Sequence, residues 1–141
     1  MIEQEDVHPQ GVSEYEMQAF TIVPNEILIV DDETDFRLDL AELLFTQGFR
    51  VITAKNGKEA LDYIKHSKKL PELITLDVKM PEFDGLDFLK EIRQINNQIP
   101  IIFISGFVRN QEIDPYTRCL EKPLDRLEFF NVIEQMRLKL K

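Results

Sequence analysis

Five side chains in this 141-residue sequence stand at the ends of short apolar runs and are of types that can do chemistry together. Asp31 and Asp32 follow Ile27-Leu28-Ile29-Val30, Asp77 follows Leu73-Ile74-Thr75-Leu76, Ser105 follows Ile101-Ile102-Phe103-Ile104, and Lys122 lies just beyond Cys119-Leu120. Three carboxylates held close together raise one another's pKa, and a hard divalent cation relieves that conflict. An all-oxygen donor set favours Mg²⁺ over zinc or copper. An aspartate beside such an ion can be a nucleophile that forms an aspartyl phosphate. A neighbouring amine and hydroxyl can then meet the oxygens of the phosphoryl group.

That chemistry requires the five groups to converge, so the elements between them matter. Ile27–Val30 reads as a strand buried on both faces. Thr34 is placed to cap a helix carrying Phe36, Leu40, Leu43 and Leu44 and stopping near Gly48. A second strand is expected over Phe49 to Ala54. Asn56 then caps a helix with Ala60, Leu61 and Ile64, and a third strand covers Glu72 to Leu76. A helix over Leu86, Leu89, Ile92 and Ile95 leads to the fourth strand, Ile101–Ile104. Gly106 to Thr117, with Pro115, has room for only a short helix before a fifth strand at Cys119-Leu120. Leu124 to Leu140 reads as a final amphipathic helix, with Phe129, Val132, Ile133, Met136 and Leu140 facing the sheet. Leu127 and Leu138 fall on its other side, where scattered exposed leucines are ordinary and a partner or dimer surface is the alternative. Strands alternating with helices imply βαβ units and right-handed crossovers, hence a doubly wound α/β domain with a parallel sheet. In such sheets ligands bind at the carboxyl ends of the strands, where all five groups fall.

With these residues in place, residues 26–139 resemble the response-regulator receiver family of two-component systems. The resemblance rests on Val30-Asp31-Asp32-Glu33, Leu76-Asp77-Val78-Lys79-Met80-Pro81 with Asp84-Gly85, Ile104-Ser105-Gly106 and Glu121-Lys122-Pro123, in that order. It implies a five-stranded sheet of flavodoxin-like order 2-1-3-4-5, here with a shortened or irregular fourth helix. It implies that Asp77 is the phosphoacceptor, and that Asp32 binds Mg²⁺ directly while Asp31 holds it through water. The backbone carbonyl of Lys79 would complete the ligand set. Ser105 resembles the switch hydroxyl, and Lys122 the lysine that contacts the phosphoryl group, with Pro123 following a cis peptide. The phosphoryl group would come from a histidine kinase or a phosphotransfer protein.

Two features depart from the family pattern. The position three before the lysine is usually aromatic, and here it is Cys119; Ser105 to Lys122 spans 17 positions, shorter than the usual spacing. Both lie where the signal is normally relayed. The expectation is a working phosphorylation pocket with an unconventional output through 107–116, the N-terminal segment or the last helix. Lys79 and Phe107, two past the acceptor and two past the hydroxyl, fall where the family resembled tunes its dephosphorylation rate, and they offer neither an acid nor an amide to position water. Slow self-dephosphorylation is therefore expected, and a half-life of seconds would contradict it.

Composition limits the rest. The length fits one domain. Residues 1–25 hold five acids and no Lys or Arg and read as an acidic extension, with 26–141 as the receiver domain. The net charge of −9 and the lack of a basic stripe exclude a nucleic-acid surface. No apolar run approaches the roughly 18 residues of a membrane span, and Met1-Ile2-Glu3-Gln4-Glu5-Asp6 lacks the basic and apolar regions of a secretory signal. One cysteine, Cys119, rules out an internal disulfide and fits the cytoplasm. His8 and His66 read as surface residues. With nothing after Lys141, the expected action is on an unknown downstream protein rather than on DNA. Two other functions compete. One is a phosphorylation-independent interaction module on the same fold. The other is a haloacid-dehalogenase-like phosphatase, which would place its nucleophile after the first strand with a second Asp two residues on; here Asp31 is followed at that distance by Glu33.

Overall fold

A computed structural model of the protein describes residues 20–77, 85–106 and 114–139, with side chains to residue 137. The elements are β1 (Thr21–Val30), α1 (Thr34–Thr46), β2 (Arg50–Ala54), α2 (Gly57–Ser67), β3 (Lys69–Leu76), α3 (Gly85–Ile95), β4 (Ile101–Ser105), β5 (Thr117–Glu121) and α4 (Arg126–Lys139). All strand pairings are parallel, and the order across the sheet is β2-β1-β3-β4-β5. This is the doubly wound arrangement expected from the alternation of apolar runs.

Alternation along the strands divides the core between the two faces. Leu28, Val30, Ile74, Leu76, Ile101 and Phe103 pack with Ala60, Leu61 and Ile64 of α2 and Phe88, Leu89 and Ile92 of α3. On the other face Ile27, Ile29, Leu73, Ile102, Ile104 and Leu120 meet Leu40 and Leu44 of α1 and Phe129, Val132, Ile133 and Met136 of α4. Each such side chain fully removed from water contributes about 1.5–3 kcal/mol, so both helical layers are firmly bound to the sheet.

Helix boundaries follow local chemistry. The carboxamide Oδ1 of Asn56 accepts from the backbone N–H of Glu59 at 2.8 Å, as expected of an N-cap. Gly48, at φ 93°, ends α1: its N–H donates to the Phe45 carbonyl and the Phe49 N–H to that of Leu44, the paired pattern that satisfies a helix's last carbonyls. The start of α1 differs from expectation. Thr34 is its first residue, Glu33 occupies the cap position without a side-chain cap, and the Asp31 carboxylate accepts the Glu33 N–H at 2.8 Å instead. The last helix begins at Arg126 rather than Leu124, because Asp125 caps it by accepting the Glu128 N–H at 3.0 Å.

The sheet also begins earlier than the apolar runs indicate. Thr21, Ile22 and Val23 pair with Lys69, Leu70 and Pro71, after which the register shifts and Ile27 pairs with Leu73. Pro24, Asn25 and Glu26 thus stand opposite Glu72 alone. Asn25 takes φ 63°, a left-handed conformation asparagine tolerates, and its side-chain amide donates to the Gly48 carbonyl at 2.7 Å. Pro24 and Pro71, which cannot donate to a ladder, hid this continuation in the sequence. Residues 1–19, the stretch 107–113 expected to hold the shortened helix, and Leu140 lie outside the described residues.

Candidate functional site

The carboxyl edge of the sheet gathers the five predicted side chains. Backbone bonds set the spacing: the Asp31 N–H donates to the Ala54 carbonyl of β2, the Asp77 N–H to the Val30 carbonyl of β1, and the Lys122 N–H to the Ser105 carbonyl of β4. The ends of β2, β1 and β3 are thereby tied together, and those of β4 and β5 likewise. Asp31, Asp77 and Ser105 are buried, and Asp32 is exposed at the mouth. Carboxylate oxygens of Asp31, Asp32 and Asp77 all lie within 4.8 Å of one another.

Lys122 closes the cluster. Its ammonium Nζ donates to Asp31 Oδ2 at 3.2 Å and lies 3.7 Å from Asp77 Oδ2. The peptide bond between Lys122 and Pro123 is cis. Burial pushes the Asp31 carboxyl up from its ordinary pKa; the Asp77 charge adds to that, while the Glu33 N–H and Lys122 pull the other way. Among the described residues one ammonium, that of Lys122, lies within ion-pair distance of Asp31 and Asp77, and the three-carboxylate cluster keeps negative charge for a cation to meet. Oxygen donors at this spacing fit a hard divalent ion such as Mg²⁺. The predicted fourth donor, the Lys79 carbonyl, and Phe107 lie outside the described residues.

Two further contributors lie outside the sequence motifs. Arg37 Nη1 donates to the Asp31 carbonyl at 2.8 Å and fixes the loop that presents the acid pair. The Phe36 ring lies under Lys122, its centroid 4.1 Å from Nζ. The only hint in the sequence was their place in the first turn of the helix that leaves the Asp31-Asp32 strand end. Beside the pocket, Phe36, Leu40, Leu43, Pro123, Leu124 and Arg126 line an open groove of about 540 Å³.

Cys119 sits on β5 opposite Phe103, half-buried against the core layer of α2 and α3, and burial pushes its thiol pKa up. At the other end of the β4–β5 connection, the Arg93 guanidinium of α3 donates to Asp114 Oδ2 at 2.9 Å, to the Ile99 carbonyl at 2.7 Å and to Thr117 Oγ1 at 3.0 Å. No helix among the described residues is long and apolar enough to cross a membrane.

Comparison with known proteins agrees with this geometry. The profile of the response regulator receiver domain matches residues 27–134. The chemotaxis protein CheY of Bacillus subtilis is 43% identical over 83 residues, covering 58% of this chain and 68% of CheY. The regulatory protein AtoC of Escherichia coli is 35% identical over 121 residues, covering 82% of this chain but only 26% of AtoC. Among solved structures, the response regulator protein TrrA of Thermotoga maritima, in complex with Mg(2+)-BeF, superposes with a TM-score of 0.69 at 29% identity, covering 79% of this chain and 98% of that one.

Proposed function

The chain belongs to the response regulator receiver family, and from that premise we propose that it takes a phosphoryl group on Asp77 from a histidine kinase or phosphotransfer protein and signals through protein–protein contacts. Receiver domains are phosphoacceptors rather than conventional enzymes. The observation that carries the proposal is Lys122 Nζ set between the buried Asp31 and Asp77 carboxylates in a three-carboxylate cluster.

In the proposed step an Asp77 carboxylate oxygen attacks phosphorus, the bond from phosphorus to the donor's imidazole nitrogen breaks, and that nitrogen keeps the electron pair. Asp31, Asp32, Asp77 and the Lys79 backbone carbonyl would hold Mg²⁺, which supplies positive charge against the phosphoryl oxygens when bound. Lys122 moves its ammonium from the carboxylates to a phosphoryl oxygen, a short travel because it is already 3.7 Å from Asp77. The Ser105 hydroxyl, held at the neighbouring strand end, donates a hydrogen bond to another. The main-chain tie between Ser105 and Lys122 couples these two responses.

Beryllofluoride, a mimic of a carboxyl-bound phosphoryl group, tests this reading. With Mg²⁺ it should shift the amide resonances of Asp31, Ser105 and Lys122, and Asp77→Asn should abolish the shifts. An unchanged wild-type spectrum would overturn the proposal. A second reading, a receiver-like module that binds partners without phosphorylation, is favoured by one observation: a half-buried cysteine rather than an aromatic ring faces Phe103 on β5. It predicts that partner capture is the same for wild type and Asp77→Asn. The phosphatase reading gains nothing, since the family profile matches receivers.

A further inference from the structure

The contact beneath Lys122 reaches further than packing. Its ammonium lies 3.2 and 3.7 Å from two carboxylates and 4.1 Å from the centroid of the Phe36 ring, over its face. An aromatic face carries partial negative charge and attracts an ammonium within about 6 Å of its centroid, more strongly when water is kept away. Lys122 is a long side chain with many rotamers, and its side chain is only 20% exposed. Phe36 is well placed to hold it. The ring sits in the first turn of α1, four residues after Asp32, and is itself packed against the core layer of α1 and α4.

We propose that Phe36 is a positioning residue for phosphoryl capture: its ring face holds the Lys122 ammonium inside the acidic pocket, ready to meet the incoming phosphoryl group. The inference rests on the reading of Asp77 as acceptor and Lys122 as its phosphoryl contact. A leucine or methionine at position 36 fills most of the space but lacks the ring's charge distribution, whereas tyrosine keeps it. The ring therefore acts through Lys122 and need not touch the phosphoryl group.

The test pairs a rate with a resonance. With acetyl phosphate and Mg²⁺, Phe36→Leu and Phe36→Met should be phosphorylated about fivefold more slowly than wild type, and Phe36→Tyr within about twofold of it. In protein that has seen no phosphodonor, the Lys122 ε-methylene protons should resonate upfield, since the adjoining Nζ lies over the ring, 4.1 Å from its centroid. They should move downfield in Phe36→Leu and Phe36→Met and return in Phe36→Tyr, a pattern that a general loss of stability would not produce. If wild type takes phosphate and both aliphatic variants match its rate, the inference is overturned while the acceptor reading stands. If the ε-methylene resonances do not depend on residue 36, the inference is overturned as well. If wild type takes no phosphate at all, the acceptor reading fails, and the inference falls with it.

Discussion

Lys122 brings one positive charge into a space shared by three carboxylates, two of them buried, and that imbalance governs what single residues do here. Asp31 is almost wholly out of water beside Asp77, so its charge works against the fold until a cation arrives. Asp31→Asn keeps the oxygen that accepts the Glu33 N–H and removes the charge. In metal-free buffer at neutral pH it should stabilise the protein by about 1 kcal/mol, roughly 3–5 °C in Tm. Wild type should gain Tm on adding Mg²⁺, and the variant should gain much less. A lower Tm for Asp31→Asn in metal-free buffer would contradict this. Most of this pocket was legible in the sequence because each group follows an apolar run, and strand ends of a parallel sheet share one edge. Phe36 was not legible as part of it. Its contact is with a lysine 86 positions away, and as an apolar residue in a helix it reads as packing.

The last turn before β5, from Asp114 to Tyr116, is held to α3 through polar atoms. Arg93 on α3 ties Asp114, Thr117 and the Ile99 carbonyl together, and Asp114 also accepts from the Tyr116 N–H at 2.8 Å. Burial alone would raise the Asp114 carboxyl, but bonds from Arg93, the Tyr116 N–H and Thr117 together hold it below its ordinary value. A carboxyl depressed in the folded state adds stability above its unfolded pKa of about 3.9 and loses it as pH falls through the folded value. Asp114→Asn should therefore cost about 1.5–3 kcal/mol at pH 7, with the difference from wild type shrinking as pH drops below about 4. Urea unfolding at pH 7 and at pH 3 checks this, and an equal difference at both would contradict it. No periodicity announces such a clip, since it joins a helix to a turn through polar atoms. The early start of β1 was concealed for a related reason: Pro24 and the register shift at 24–26 break the strand pattern, while the pairing partner at Lys69–Pro71 lies far along the chain.

Across the whole molecule, the doubly wound sheet was the most legible feature. Its inner strands β1, β3 and β4 are covered on both faces where the core lies and so appear as short continuous apolar runs, and the crossover rule leaves few ways to connect them. The same architecture explains why the site lies where it does: one edge collects the ends of β1, β3, β4 and β5, and their adjacency in the order 2-1-3-4-5 places Asp31, Asp77, Ser105 and Lys122 side by side. This edge is proposed to accept a phosphoryl group at one carboxylate, that of Asp77. Intact mass after incubation with acetyl phosphate and Mg²⁺ tests that most directly: wild type should gain a single phosphoryl group and Asp77→Asn none, whereas an unmodified wild type, or a variant modified to the same extent, would contradict it.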